Sequence, residues 1–256
     1  MRAQFPLDEP GELHHGRPPA CRTRASAYSI TAVQFGQFSR KEPVADFISE
    51  RLGQIFFASW QHFSLVIQCL ALATVLSLII GSLVYRKKSL VSAANSVSAI
   101  GLTVPSFALI GILVVPFGFG VTQAVIVTTF YAALPILRNT VVGLSGVKPT
   151  IVESARGIGM SRMGTLLQVE LPLAWPVILA GVRVSAQMVM GIAAITAYAL
   201  GPGLGGFIFS GLSRLGGANS FESVVTGVVG IILLALLLDL LLVGLGRLTI
   251  PGGIRV

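Results

Sequence analysis

Hydrophobic positions in this chain come in long unbroken runs rather than in the alternating or one-face patterns of a soluble domain. Apolar stretches cover 63–85, 97–117, 121–137, 173–200 and 223–245, the first of them without a charge. Each is long enough to cross a hydrocarbon core of about 30 Å at about 1.5 Å per helical residue. The pattern predicts an all-α integral membrane protein with about five spans. Proline interrupts three of these runs, at Pro105, Pro135 and Pro176, and removes a helix hydrogen bond at each. Ahead of the first run, residues 44–60 place Val44, Ile48, Leu52 and Ile55 on one helical face, with Asp46, Glu50 and Gln54 turned away. That pattern predicts an amphipathic helix lying in the membrane interface. Residues 1–43 are polar and rich in Pro, Arg and His, and are expected to form a flexible tail. The domain plan is therefore tail 1–43, interfacial helix 44–60, membrane domain 61–250 and a short tail 251–256.

Composition agrees with this plan. Hydrophobic residues make up 54% and charged residues 11%, against about 25% charged in soluble domains, and mean hydropathy is +0.84. The net charge of +8 forms no basic stripe with interleaved aromatics, so no nucleic-acid partner is expected. Basic loops beside a bilayer account for it, with membrane lipid as the neighbour. Arg86, Lys87, Lys88, Arg138, Lys148, Arg156, Arg162, Arg247 and Arg255 share one side of the five-span plan, and Arg214 falls on the other. Positive residues mark the cytoplasmic side. No nucleophile–base set is visible. Cys21 and Cys69 lack metal or redox spacing. Neither catalysis, a metal nor a cofactor is expected in this chain.

One segment breaks the oily pattern. "VESARGIGMSRMGTLLQVELP", residues 152–172, brings Glu153, Arg156, Arg162 and Glu170 together with Gly157, Gly159 and Gly164. On the cytoplasmic side, two short helices joined by glycine turns offer a handle that another protein can grip. Glu153 is expected in the first helical turn, where a carboxylate suits the dipole. Gly159 and Gly164 are expected to allow the bend, and Pro172 to begin the next span.

The spacing Glu153-x-Ala155-(x)3-Gly159-(x)9-Val169-x-Leu171-Pro172 resembles the "EAA" loop of bacterial ABC importer permeases. Ser154 and Val169 stand where the family pattern has Ala and Ile. The resemblance extends over roughly 60–250. "TVPSFALIGILVVPFGFG", "ALPILRNTVVGL", "VELPLAWPVILAGVRVS" and "GPGLGGFIFSGL" are similar to the osmoprotectant branch, which imports glycine betaine, choline, carnitine and related compatible solutes. It implies the type I ABC importer permease fold, with residues 148–172 as the coupling loop. Glu153, Ser154, Ala155, Gly159, Glu170, Leu171 and Pro172 would face a cytoplasmic ATPase. The implied partners are two ATPase copies carrying ATP and Mg, a second permease subunit (identical or paralogous), and a separate extracytoplasmic binding protein, since the chain stops soon after its last span. The implied location is the bacterial cytoplasmic, or inner, membrane. The competing class is an ATPase-independent secondary transporter or channel, or a permease of the same fold for another solute. No internal inverted repeat or relay of intramembrane acids favours the first of these.

Two further features bear on the path. Gly201, Gly203 and Gly206 satisfy G-x-G-x-x-G, but an apolar span precedes them and Pro202 sits in the turn, unlike a dinucleotide site. They suit a close-packed re-entrant turn near an outer gate. Arg183 and Asp239 lie within the last two spans, about 11 and 8 residues from their cytoplasmic ends, a depth difference of about 4–5 Å. A charge at that depth costs about 2.5–3.5 kcal/mol, so pairing is expected, either as a gate or as a static clamp. With Pro105, Pro135 and the three glycines, they are the candidate path residues.

Overall fold

A computed structural model describes residues 44–250. The expectations for the tails 1–43 and 251–256 lie outside these residues. Regular structure among them is helical throughout: α1 (Val44–Glu50), α2 (Leu52–Val84), α3 (Lys88–Thr103), α4 (Ser106–Phe117), α5 (Val121–Ser145), α6 (Pro149–Gly157), α7 (Arg162–Thr165), α8 (Leu171–Thr196), α9 (Gly205–Leu212) and α10 (Ser220–Thr249). A π-turn at Leu166–Glu170 joins α7 to α8, and a 3₁₀ turn at Ala197–Ala199 follows α8. This is the outcome that the bilayer imposes, since only a helix satisfies its backbone groups within one segment.

Four helical runs are long and apolar enough to span: 52–84, 121–145, 162–199 and 220–249. The fifth is bent. The run expected at 97–117 is the pair α3 and α4, which starts at Lys88 and turns by 91° at Val104–Pro105. Pro105 forces the residue before it out of the helical region, and Val104 has ψ of 126°. The carbonyl freed there accepts a hydrogen bond from the Tyr131 hydroxyl on α5. A polar backbone group at membrane depth is thus paired by protein, which is the condition for breaking a span.

The first span also differs from expectation. No boundary appears near residue 60; α2 runs from Leu52 to Val84 as one helix of 33 residues, and the chain breaks at Arg51 instead. The amphipathic stripe therefore belongs partly to α1 and partly to the start of α2. The core lies where α2, α5 and α8 meet, with Val66, Ala73, Val127, Ile136, Val189 and Ala193 fully buried. Polar hydrogen bonds tie these helices inside the apolar setting: Ser77 Oγ donates to the Ala133 carbonyl at 3.1 Å, and Ser185 Oγ to the Ala132 carbonyl at 2.8 Å. Pro135 is buried inside α5, and the helix passes through it unbroken.

At the end of α8 far from the π-turn, Leu200 and Gly203 have positive φ and the chain doubles back into α9, which packs on α10. A side chain at Gly201 would meet the Thr196 carbonyl at 2.7 Å, and one at Gly203 would meet His62 Nδ1 at 2.7 Å. The third close approach is at Gly205, against the Ala194 carbonyl, and not at Gly206, where nothing lies within 4 Å. The fingerprint spacing misassigned that position because it counts glycines, whereas packing depends on which one faces α8.

Gly203 also needs a backbone conformation, at φ of +114°, that other residues rarely adopt. Gly203→Ala is expected to cost about 1–3 kcal/mol, read as a lower Tm in detergent. Gly206→Ala should change stability by about 0.5 kcal/mol or less. Equal shifts for the two would contradict this packing.

Candidate functional site

The charged segment folds by rules that are local. Pro149 occupies the first helical position of α6, where its missing N–H costs nothing. Glu153 is the fifth residue of that helix, so it lies in the second turn rather than the first: the helix begins earlier than the charge pattern suggested. The end of α6 is a Schellman motif. Gly159 N–H donates to the Arg156 carbonyl at 2.9 Å and Met160 N–H to the Ala155 carbonyl at 3.2 Å. Gly159 takes φ of +90° to allow it. Gly164 makes no bend. It sits inside α7, its N–H held at 3.1 Å by the hydroxyl of Ser161, which caps that helix.

Past the cap, helix continues without a stop through the π-turn into α8. Leu171 N–H reaches back five residues to the Leu166 carbonyl. Pro172 therefore does not start the span; it sits two residues after the π-turn, within a helical run extending from 162 to 199. The wider turn absorbs the missing proline N–H.

The seven candidate coupling residues do not share one environment: Leu171 and Pro172 open α8, Leu171 half-buried and Pro172 exposed. Glu153, Ser154 and Gly159 are exposed, while Ala155 turns its methyl inward. Exposed apolar side chains flank them at Ile151, Ile158 and Met163. Together these form a surface of mixed charge and bare apolar groups standing away from the bundle. Glu170 belongs to a different environment. Its side chain is 3% exposed, so it does not share that surface. The Tyr85 hydroxyl donates to Glu170 Oε2, Arg86 Nη2 lies 3.6 Å from Oε1, and Arg86 Nε donates to the Tyr85 oxygen at 2.6 Å. Burial first, and then the Glu170 carboxylate, push the Tyr85 phenol above its ordinary value, which keeps it a protonated donor. Tyr85 and Ser161 are the residues that sequence reasoning missed. The Ser161 cap had a local signature. Tyr85 had none, because its partner lies 85 residues away.

Arg183 and Asp239 meet across α8 and α10. Arg183 donates from Nε to Oδ1 at 3.1 Å and from Nη2 to Oδ1 and Oδ2 at 2.9 and 3.1 Å; Gln187 Nε2 adds a contact to Oδ1 at 3.3 Å. Side-chain exposure of 41% and 27% shows that the pair is open on one side within its spans. Hydrocarbon is a poor neighbour for such a pair, so that side suits a wet path or another subunit. Among the other path candidates, Pro105 bends α3 against α4, Pro135 stays buried in α5, and Gly201 and Gly203 lie at the opposite end of α8 from the π-turn.

A sequence profile described as "Binding-protein-dependent transport system inner membrane component" matches residues 73–250. The chain is 31% identical over 212 residues to the choline transport system permease protein OpuBB of Bacillus subtilis, covering 83% of this chain and 96% of that one. It is 35% identical over 214 residues to the osmoprotectant import permease protein OsmW of Salmonella typhimurium, covering 82% and 98%. In fold it is similar to a chain of the MetNI methionine ABC transporter, with a TM-score of 0.67 at 20% identity over 78% of this chain and 98% of that one.

The ion pair generates a stability prediction. Arg183→Met and Asp239→Leu should each cost about 1.5–3 kcal/mol, the range for hydrogen bonds to charged groups. The double variant should recover part of that loss, because no lone charge is left. Thermal unfolding of all four proteins in detergent forms the cycle, and full additivity would show that the pair contributes nothing.

Proposed function

We propose a role for a chain that belongs to the family of binding-protein-dependent transport system inner membrane components: it is the permease subunit through which an ATP-driven importer takes up quaternary amines. The solutes are glycine betaine, choline, carnitine and related compatible solutes. What carries the solute class is the kinship of 31–35% over some four-fifths of the chain with permeases named for choline and osmoprotectants. What supports the coupling role is the exposed surface of α6 and its Schellman turn, which stand just before the helical run that begins at Arg162 and includes α8.

Mechanistically, this chain supplies surfaces and no chemistry. ATP and Mg are held by two cytoplasmic ATPase subunits, and a separate extracytoplasmic binding protein delivers the solute. Two permease subunits, identical or paralogous, enclose the path in the bacterial cytoplasmic membrane. Closure of the ATPases on ATP pushes on α6, and the helical run 162–199 carries that displacement into the bundle. Two bundle arrangements with different affinity for each nucleotide state are sufficient for alternating access. The open side of the Arg183–Asp239 pair faces the path, and the turn at Leu200–Gly203, packed on His62, forms its outer end.

Gly159 provides the test. It has no neighbour within 4 Å of a would-be Cβ, so Gly159→Trp projects its bulk outward while straining the turn. In proteoliposomes with the ATPase inside and the binding protein outside, the parent chain should take up glycine betaine or choline only when ATP is present. The variant should insert normally and lose about tenfold or more in uptake, equivalent to about 1.4 kcal/mol in the barrier. Normal uptake by the variant would remove residues 148–172 from the coupling role.

A further inference from the structure

We infer that Tyr85, Arg86 and Glu170 form the joint that makes α2 move with the coupling segment, with Glu170 acting as a positioning residue and not as part of the ATPase-facing surface. The inference rests on the coupling role proposed above and deepens it.

Glu170 closes the π-turn, one residue before α8 begins, and Tyr85 is the C-cap of α2. The three side chains form a closed network. Arg86 Nε donates to the Tyr85 oxygen at 2.6 Å, the Tyr85 hydroxyl donates to Glu170 Oε2, and Arg86 Nη2 lies 3.6 Å from Glu170 Oε1. The Tyr85 ring packs beside Leu166 and Leu171 on the small cluster of Leu144, Ala174 and Ile178. Around this point the packing is open. One open cavity of about 680 Å³ is lined by Leu83, Met163 and Leu167. A second, of about 620 Å³, is lined by Lys88, Glu153 and Arg156. Tyr85 and Arg86 stand in the walls of both, where the coupling segment meets the end of the first span.

Its chemistry makes the tie firm. Glu170 is shielded from water, so its carboxylate depends on the donors that α2 and its end supply. Charge-assisted hydrogen bonds are the stronger kind. If the π-turn moved while α2 stayed, a buried carboxylate would lose its partners, and that penalty favours motion of the two as one body. A single π-turn inside an α-helix is rare and frequent at functional sites, and the network is anchored on its last residue.

The test uses the complete transporter in nanodiscs: this chain with its ATPase and binding protein. Spin labels replace Leu83 and Leu167, both exposed on either side of the larger cavity, in a background without native cysteines. In the parent complex the Leu83–Leu167 distance should be the same without nucleotide and with trapped ATP. In Glu170→Gln the two states should differ. Solute moved per ATP hydrolysed should then fall about fivefold or more, the lower end of coupling between sites, while the ATPase still co-purifies. Tyr85→Phe should shift both readouts in the same direction by less. Adding it to Glu170→Gln should do no further harm. A state-dependent distance in the parent complex overturns the joint, as does an unchanged transport ratio in Glu170→Gln. Loss of ATPase binding in Glu170→Gln would also overturn it, by returning Glu170 to the docking surface, while leaving the coupling segment intact. If Glu170→Gln fails to insert, the parent distance and Tyr85→Phe decide the matter. Absence of ATP-driven amine uptake by the parent complex would instead sink the functional reading itself.

Discussion

A backbone inside hydrocarbon has no water to fall back on, so every N–H and C=O must find a partner within the protein. That constraint produces the helices and also dictates where helices can stop. The bend at Pro105 is allowed because the Tyr131 hydroxyl takes the Val104 carbonyl. The turn after α8 is allowed because Gln123 Nε2 and Gly120 N–H both donate to the Ala199 carbonyl, at 3.2 and 2.9 Å, while Gly203 packs on His62. At both of these breaks the freed carbonyl is covered by protein.

Charges follow the same economy. The two ion pairs among the described residues join helices at different heights. Arg86–Glu170 binds the end of α2 to the base of α8, and Arg183–Asp239 binds α8 to α10 farther along. Helix α8 is common to both. Because helix is continuous from Arg162 to Ala199, both ties sit on one helical run of about 57 Å, at about 1.5 Å per residue over 38 residues.

Much of this was legible in the sequence, and the parts that were not share a cause. Long apolar runs mark spans because burial in lipid demands nothing else of them, so 223–245 falls inside α10 and 63–85 inside α2 but for Tyr85, its C-cap. The turn at Gly159 was legible because a glycine at a left-handed turn, here at φ of +90°, has few substitutes. The bend at Pro105 was readable as an interruption but not as a right angle, since its size is set by what α4 packs against. The inward turn of Glu170 left no trace either. A carboxylate beside a proline looks like a loop residue until Tyr85 and Arg86 arrive from 85 residues earlier. The same holds for Gly205 against Gly206. Local rules identify the turn, and only tertiary contact selects the residue.

The most direct test of the arrangement is which partner touches which end of the bundle. A photo-crosslinking residue in place of Ile158, 82% exposed at the end of α6, or of Leu215, 76% exposed between α9 and α10, can be activated in the assembled transporter. Crosslinks from position 158 to the ATPase, and from 215 to the binding protein alone, are the expected result. A crosslink between the ATPase and position 215, or none from 158 in a complex that still transports, would contradict both the orientation and the role of the segment.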